Sequence, residues 1–354
     1  MPKLLFQFSL IISLVVLVAC GGEAEPTAVL EEPTPAATST PTAVPPTITP
    51  PPTATAVAAP PTPTAPVVEE ETAATETENT AALEPSPSPE PSPTETPDPL
   101  ALLNGVPVDQ IVVLPDETIA HMKTVFAEGQ ARGRDPHRFS KLGDSVIANG
   151  DFLTRFDAAG AYTLGPYDYL QPTIDYYPGS WDRYGVGIRI GLSAWGVFDP
   201  MWADKEWCEP NEAMIDCEFR LNNPSVVIIH LGTNDTNESF EKFLRQTVQH
   251  SLDNGVIPIL LTKADRYESY LYEEENRNNN IIRQVAADFK IPLVDFDIVA
   301  DTLPNRGLKD DNIHLNGPLQ HDYNLEEAYT KGHTVHNLAV LLMMERIREE
   351  VIGN

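Results

Sequence analysis

Apolar residues are distributed along this chain in three ways. The unbroken run Leu10 to Ala19 follows a single early charge, Lys3, and is too short to cross a bilayer but has the length of a signal-peptide core. Residues 21–100 show no apolar period at all. Beyond them, short apolar runs alternate with longer amphipathic stretches. The runs Phe139–Leu142, Val186–Leu192, Val226–Leu231, Ile257–Leu261 and Ile291–Phe296 predict strands. Between Asp116 and Arg132, Ile119, Met122, Val125 and Phe126 recur at helical spacing, and further helices are predicted over Glu238–Asn254, Glu273–Phe289 and His333–Glu350. Val226 to Ile229 are apolar on consecutive positions, as in a parallel strand covered on both faces. The pattern predicts an α/β fold, a three-layer α/β/α sandwich with a mainly parallel sheet of about five strands.

Composition divides the chain further. Residues 21–100 hold 20 of its 34 prolines and 13 acidic residues, with no lysine or arginine. Such a segment cannot bury enough apolar surface to fold and is expected to be a disordered linker, extending at most about 240 Å at about 3.1 Å per residue. Its Pro-Thr and Pro-Ser pairs are candidate glycosylation sites. At its head, Leu17-Val18-Ala19-Cys20-Gly21 resembles the lipobox of bacterial lipoproteins. That resemblance implies a signal peptide over residues 1–19, cleavage before Cys20, lipidation of its thiol, and a membrane-anchored, extracytoplasmic protein. Residues 20–100 are then anchor and linker, and residues 101–354 are left for one domain. This domain carries 39 acidic against 22 basic residues, which disfavours nucleic acid and strongly anionic substrates. With Cys20 assigned to lipid, Cys208 and Cys217 remain as a pair, expected to close a short loop as a disulfide.

Functional residues of such sandwiches gather at the carboxyl ends of the strands. Three candidate segments fall there: Gly143-Asp144-Ser145, Gly191-Leu192-Ser193 and Gly232-Thr233-Asn234-Asp235. A serine hydroxyl needs a base to take its proton, and the base needs a third group to hold its tautomer. Ser145, His314 and Asp311 can fill those roles, because Asp311-Asn312-Ile313-His314 lets one turn point carboxylate and imidazole the same way. An acyl-transfer site also needs donors for the developing oxyanion. The Asn234 amide and the backbone N–H groups of Gly191 and Ser145 are the candidates, with Gly187 and Gly196 as alternatives to Gly191.

In order along the chain these segments resemble the blocks of the SGNH or GDSL-type hydrolases, over most of residues 135–350. Gly143-Asp144-Ser145 matches the first block, Gly191 the second, Gly232 to Asp235 the third and Asp311 to His314 the fifth. The second match departs from the family, since Arg189-Ile190-Gly191 lacks the asparagine usual before that glycine. The resemblance implies a flavodoxin-like sandwich, a serine mechanism without metal or cofactor, and ester or thioester substrates.

Two features stay open. Tyr167, Tyr169, Tyr176, Tyr177, Trp195, Trp202 and Trp207 flank the expected mouth of the site, either as a sugar-stacking platform or as a small satellite core. His321, Asp322, His333 and His336 could be read as metal ligands or as part of the last helix. The resulting expectation is a tethered serine esterase acting on carboxylic esters, first among them O-acetyl groups on polysaccharide. An O-acyltransferase with the same triad and a non-catalytic binding domain are the rival readings.

Overall fold

A computed structural model describes residues 99–236, 238–266, 276–317 and 321–353. The expected signal peptide, Cys20 and nearly all of the linker lie outside the described residues. The central sheet has five strands: β1 (Val112–Val113), β2 (Asp135–Gly143), β3 (Pro224–His230), β4 (Ile257–Leu261) and β5 (Leu293–Val294). Their spatial order is β1-β5-β4-β3-β2, parallel throughout except for β1, which runs antiparallel to β5. The principal helices are α1 (Asp116–Ala131), α2 (Met214–Asn222), α3 (Phe240–Asp253), α4 (Arg277–Phe289) and α5 (Gly332–Arg346). Glu273 to Glu275, expected to open α4, lie outside the described residues.

Every residue of β3 and β4 is buried. Successive strand side chains point to opposite faces, so complete burial requires cover on both faces, which is the three-layer α/β/α arrangement. Helix α5 is buried along almost its whole length, its apolar stretch Leu338–Met344 and its polar residues His333, Thr334, His336 and Asn337 alike enclosed by other elements. It continues into a π-helical turn, Ile347–Ile352.

The number of strands matches the expectation, but one member differs. Val186–Leu192 is not a strand: it touches the sheet at a single parallel bridge between Ile188 and Gly143. Left-handed Gly185 and Gly191 bend the backbone on either side, and a tight turn from Leu192 N–H to Arg189 O ends the extended stretch. The fifth strand is instead β1, two residues long, within the short apolar run Ile111–Leu114. Ile291–Phe296 contracts to β5, because the chain turns into a short helix at Phe296. Cys208 and Cys217 form a disulfide, with Cα atoms 5.3 Å apart.

The buried part of the aromatic segment joins the main core and not a separate satellite. Trp181 and Tyr177 are fully buried, and Trp181 meets Phe139 and Phe156 edge-on at 4.9 and 5.3 Å. Tyr169, Tyr184, Trp195 and Trp207 stay exposed.

Four histidines are enclosed as well: His230 at the end of β3, His321, and His333 and His336 at the start of α5. Among the described residues, neither ring nitrogen of His333 or His336 has a hydrogen-bond partner, and Asn337 Nδ2 donates to His321 Nε2 at 2.7 Å. Burial lowers these imidazoles, His230 to about 3, His321 and His333 to about 4, and His336 well below its ordinary value. Burial also raises Asp144 to about 7 and Asp235 to about 6. An imidazole kept neutral in the fold contributes stability above its unfolded value near 6.5, lost as pH falls below it. Asp144 and Asp235 act oppositely, contributing stability at low pH that is lost as pH rises through about 6 and 7, and Glu345, also raised by burial, acts with them. Four groups against three give a net loss on acidification. The thermal midpoint should therefore fall steadily between pH 6.5 and 4.5 in a calorimetric series; a flat or rising midpoint would show that the histidines are not held neutral.

Candidate active site

Strand β2 ends at Gly143, opposite His230 in the parallel register. A Cβ at Gly143 would lie 2.2 Å from the His230 carbonyl oxygen, so only glycine lets β2 and β3 run side by side to their ends. The chain then turns: Asp144 Oδ1 accepts the Val146 N–H at 2.9 Å, and the Ala148 N–H reaches the Asp144 carbonyl at 3.0 Å. Between these anchors Ser145 stands half-buried at the sheet edge.

The sequence-distant partner arrives on a small antiparallel turn closed by the Leu308–Leu315 bridge. Both leucines are buried, and Lys309 N–H bonds the His314 carbonyl at 2.8 Å. Asn312, in left-handed conformation, reverses the chain so that Asp311 and His314 face each other. One Asp311 oxygen, Oδ1, accepts the N–H groups of Ile313 and His314, both at 2.9 Å. The other, Oδ2, lies 2.8 Å from His314 Nδ1. His314 Nε2 lies 2.9 Å from Ser145 Oγ. Hydrogen bonds, first that from the His314 N–H, hold the Asp311 carboxyl down at about 2, so it stays ionised across the working range. The structure thus brings Ser145, His314 and Asp311 into one continuous hydrogen-bonded line.

Asn234 follows β3 on the Gly232–Asp235 turn. Gly232 has φ +117, and a Cβ there would press on Phe240 and Lys263 at 3.1 and 3.3 Å. Asn234 Nδ2 donates to the Leu192 carbonyl at 3.3 Å, and the Ser193 hydroxyl donates to the Asn234 carbonyl at 2.9 Å. The neighbouring Asp235 carboxylate accepts the Ala194 N–H at 2.9 Å. These contacts dock the turn after β3 on the 192–194 segment. Gly191 lies just upstream in left-handed backbone, and a Cβ there would meet open space. Ser193, the last residue of the predicted segment Gly191-Leu192-Ser193, packs on Asn234, a contact the sequence did not reveal.

Beneath the site lies a buried polar layer: Asp144 and Asp235 fall in the predicted segments, whereas sequence reasoning missed His230, Lys263 and Asp265. Asp144, His230, Asp235, Lys263 and Asp265 are each at most 2% exposed. Lys263 Nζ donates to Asp265 Oδ1 at 3.1 Å, and the Thr233 hydroxyl donates to Asp265 Oδ2 at 3.2 Å. His230 Nδ1 is 3.8 Å from Asp144 Oδ1. Residues chosen as possible metal ligands do not converge: His333 and His336 are enclosed in the core. Among the described residues, the one cluster with ligand spacing is Cys208, Glu212 and Cys217, whose sulfurs are joined to each other.

Comparison with known proteins adds the family. Several solved structures are similar. An acetylxylan esterase from Geobacillus stearothermophilus is 16% identical, over 60% of this chain and 94% of that one, with a TM-score of 0.38. An α/β hydrolase from the metagenome of Lake Arreo is 18% identical, over 60% and 95%, at 0.37. A GDSL-like lipase from Bacteroides thetaiotaomicron is 14% identical, over 64% and 98%, at 0.36. A search of the curated proteins gave no match. The model of the GDSL-like lipase/acylhydrolase family matches residues 142–318, half of the 354-residue chain, from the end of β2 to just beyond His314. The chain belongs to the GDSL-like lipase/acylhydrolase family.

Proposed function

We propose that this acylhydrolase cleaves carboxylic esters through a Ser145–His314–Asp311 triad. The observation that carries the reading is the pair of hydrogen bonds, 2.8 Å from Asp311 to His314 and 2.9 Å from His314 to Ser145. Ser145 Oγ attacks the ester carbonyl carbon while His314 Nε2 takes its proton. The ionised Asp311 holds the imidazole with its proton on Nδ1 and stabilises the imidazolium that forms. The alcohol leaves with the proton returned by His314. Water, activated by the same imidazole, then releases the acyl group from Ser145 and restores the enzyme.

The oxyanion is met by the Ser145 N–H, the Asn234 side-chain amide and a backbone N–H of the Gly191–Ser193 turn. Gly191 is the donor that the family resemblance suggests, and Ser193 is the residue of that turn packed on Asn234. Each such donor is worth about a hundredfold to a thousandfold in rate.

The preferred substrates are short O-acyl esters, with acetylated polysaccharide the first class to test. The exposed rings of Tyr184 and Trp207, which line one cavity with Arg189 and Asp204, support a sugar-facing surface; exposed Tyr169 lines a different one. A lipid anchor at Cys20 and an extracytoplasmic location remain part of the proposal, supported by the sequence at residues 17–21 and by the disulfide, a bond that persists in oxidising compartments.

Two experiments test this reading. Hydrolysis of p-nitrophenyl acetate, butyrate and octanoate by the full chain should be greatest for acetate and abolished by Ser145→Ala; undiminished activity in the variant would place the nucleophile elsewhere. His314→Ala should lower kcat by about 10²- to 10⁴-fold with the thermal midpoint held, because the imidazole is partly exposed. A kcat within a few-fold of wild type would remove His314 from the mechanism.

A further inference from the structure

We infer that Asn278 is a positioning residue for the oxyanion site: its amide fixes the turn that carries Asn234. This rests on the proposed role of Asn234 as an oxyanion donor. Asn278 stands in the first turn of α4 and is 0% exposed. Its Nδ2 donates to the Gly232 carbonyl at 2.8 Å and to the Asp235 carbonyl at 2.8 Å. Those two acceptors bracket Thr233 and Asn234, so one amide nitrogen ties both ends of the turn to a rigid helix.

The chemistry of the residue suits the task. A primary amide nitrogen carries two hydrogens about 120° apart on a short neutral stem, so it can reach two carbonyls at once without burying a charge. An aspartate of the same shape has no hydrogen to offer when ionised, and serine has one. The next residue does the parallel job for the neighbouring strand: Asn279 Oδ1 accepts the Lys263 N–H at 2.8 Å, and its Nδ2 donates to the Lys263 carbonyl at 3.0 Å. The start of α4 therefore holds the ends of both β3 and β4. From the other side, Asp235 accepts the Ala194 N–H and Asp265 accepts the Thr233 hydroxyl. Among the described residues, Asn278 is the side chain whose amide joins the turn's first carbonyl to its last.

Oxyanion stabilisation depends on donors placed before the charge appears, and misplacement by about 1 Å can cost about a hundredfold in rate. Loss of the clamp should thus lower kcat and leave KM nearly unchanged. The test is a double-mutant cycle on the full chain with p-nitrophenyl acetate: wild type, Asn234→Ala, Asn278→Ala and the double variant, with Asn278→Ser as the milder replacement should the alanine variant not fold. Asn278→Ala, or the serine variant in its place, should lower kcat between about tenfold and a hundredfold, and the double variant should be no slower than Asn234→Ala alone. Such non-additivity marks residues acting through one group, whereas a general loss of structure would multiply. Multiplying effects, or an Asn278 variant with wild-type kcat, would overturn the assignment while leaving Asn234 in its role. An Asn234→Ala variant with wild-type kcat would remove the oxyanion reading itself, and this assignment with it.

Discussion

The site depends on how closely β2 and β3 run together at their carboxyl ends. With Gly143 opposite His230 and no side chain between them, the strand that delivers Ser145 and the strand that delivers Asn234 finish at the same level. Any residue larger than glycine would force its Cβ into the His230 carbonyl, parting the strands that lead to Ser145 and Asn234. The parallel register does the rest, since β4 and β5 end alongside and place the Lys263 and Asp295 segments around the same rim. Chemistry is thus assembled at one edge of the sheet from segments that lie far apart in sequence.

Below that edge the protein accepts an unusual concentration of buried polarity. Asp144, Asp235 and Asp265 each accept a hydrogen bond from one of the segments that build the site, and Lys263 supplies a cation among them. Buried carboxylates in an apolar setting are costly unless they are hydrogen-bonded or neutralised, and removing one member of a buried pair leaves the other without compensation. The arrangement favours rigidity at the cost of tolerance to substitution. By contrast, Asp311 and His314 lie near solvent on a turn closed by two buried leucines, so the pair is held by local geometry and the imidazole stays accessible to water.

Ser145, Asp311 and His314, which the structure joins in one hydrogen-bonded line, and Asn234 could be singled out in the sequence because their signals are local. A glycine before a turn, an Asn after a fully apolar strand and an Asp three residues before a His are patterns that neighbouring residues alone create. The two-residue strand β1 lies in the apolar run Ile111–Leu114, a strand signal like the others that was missed because it is short and stands directly before Pro115. Val186–Leu192 reads as a strand because apolar runs look alike whether they make one bridge or five; only the turn enforced at Gly191 separates them. Asn278 sits in a run of polar residues, Asn276 to Asn280, that gives no hint of burial, and Lys263 looks like a surface charge after a strand. Both act through contacts with residues remote in sequence, which spacing cannot reveal.

The most direct measurement is covalent capture of the nucleophile. The full chain would be treated with a fluorophosphonate, digested and sequenced by mass spectrometry, beside its His314→Ala variant. The account predicts a single phosphonylated site at Ser145, formed rapidly in the wild type and slowly or not at all without the imidazole. Labelling at another serine, or equal labelling of Ser145 with and without His314, would contradict the claim that Asp311 and His314 activate this hydroxyl.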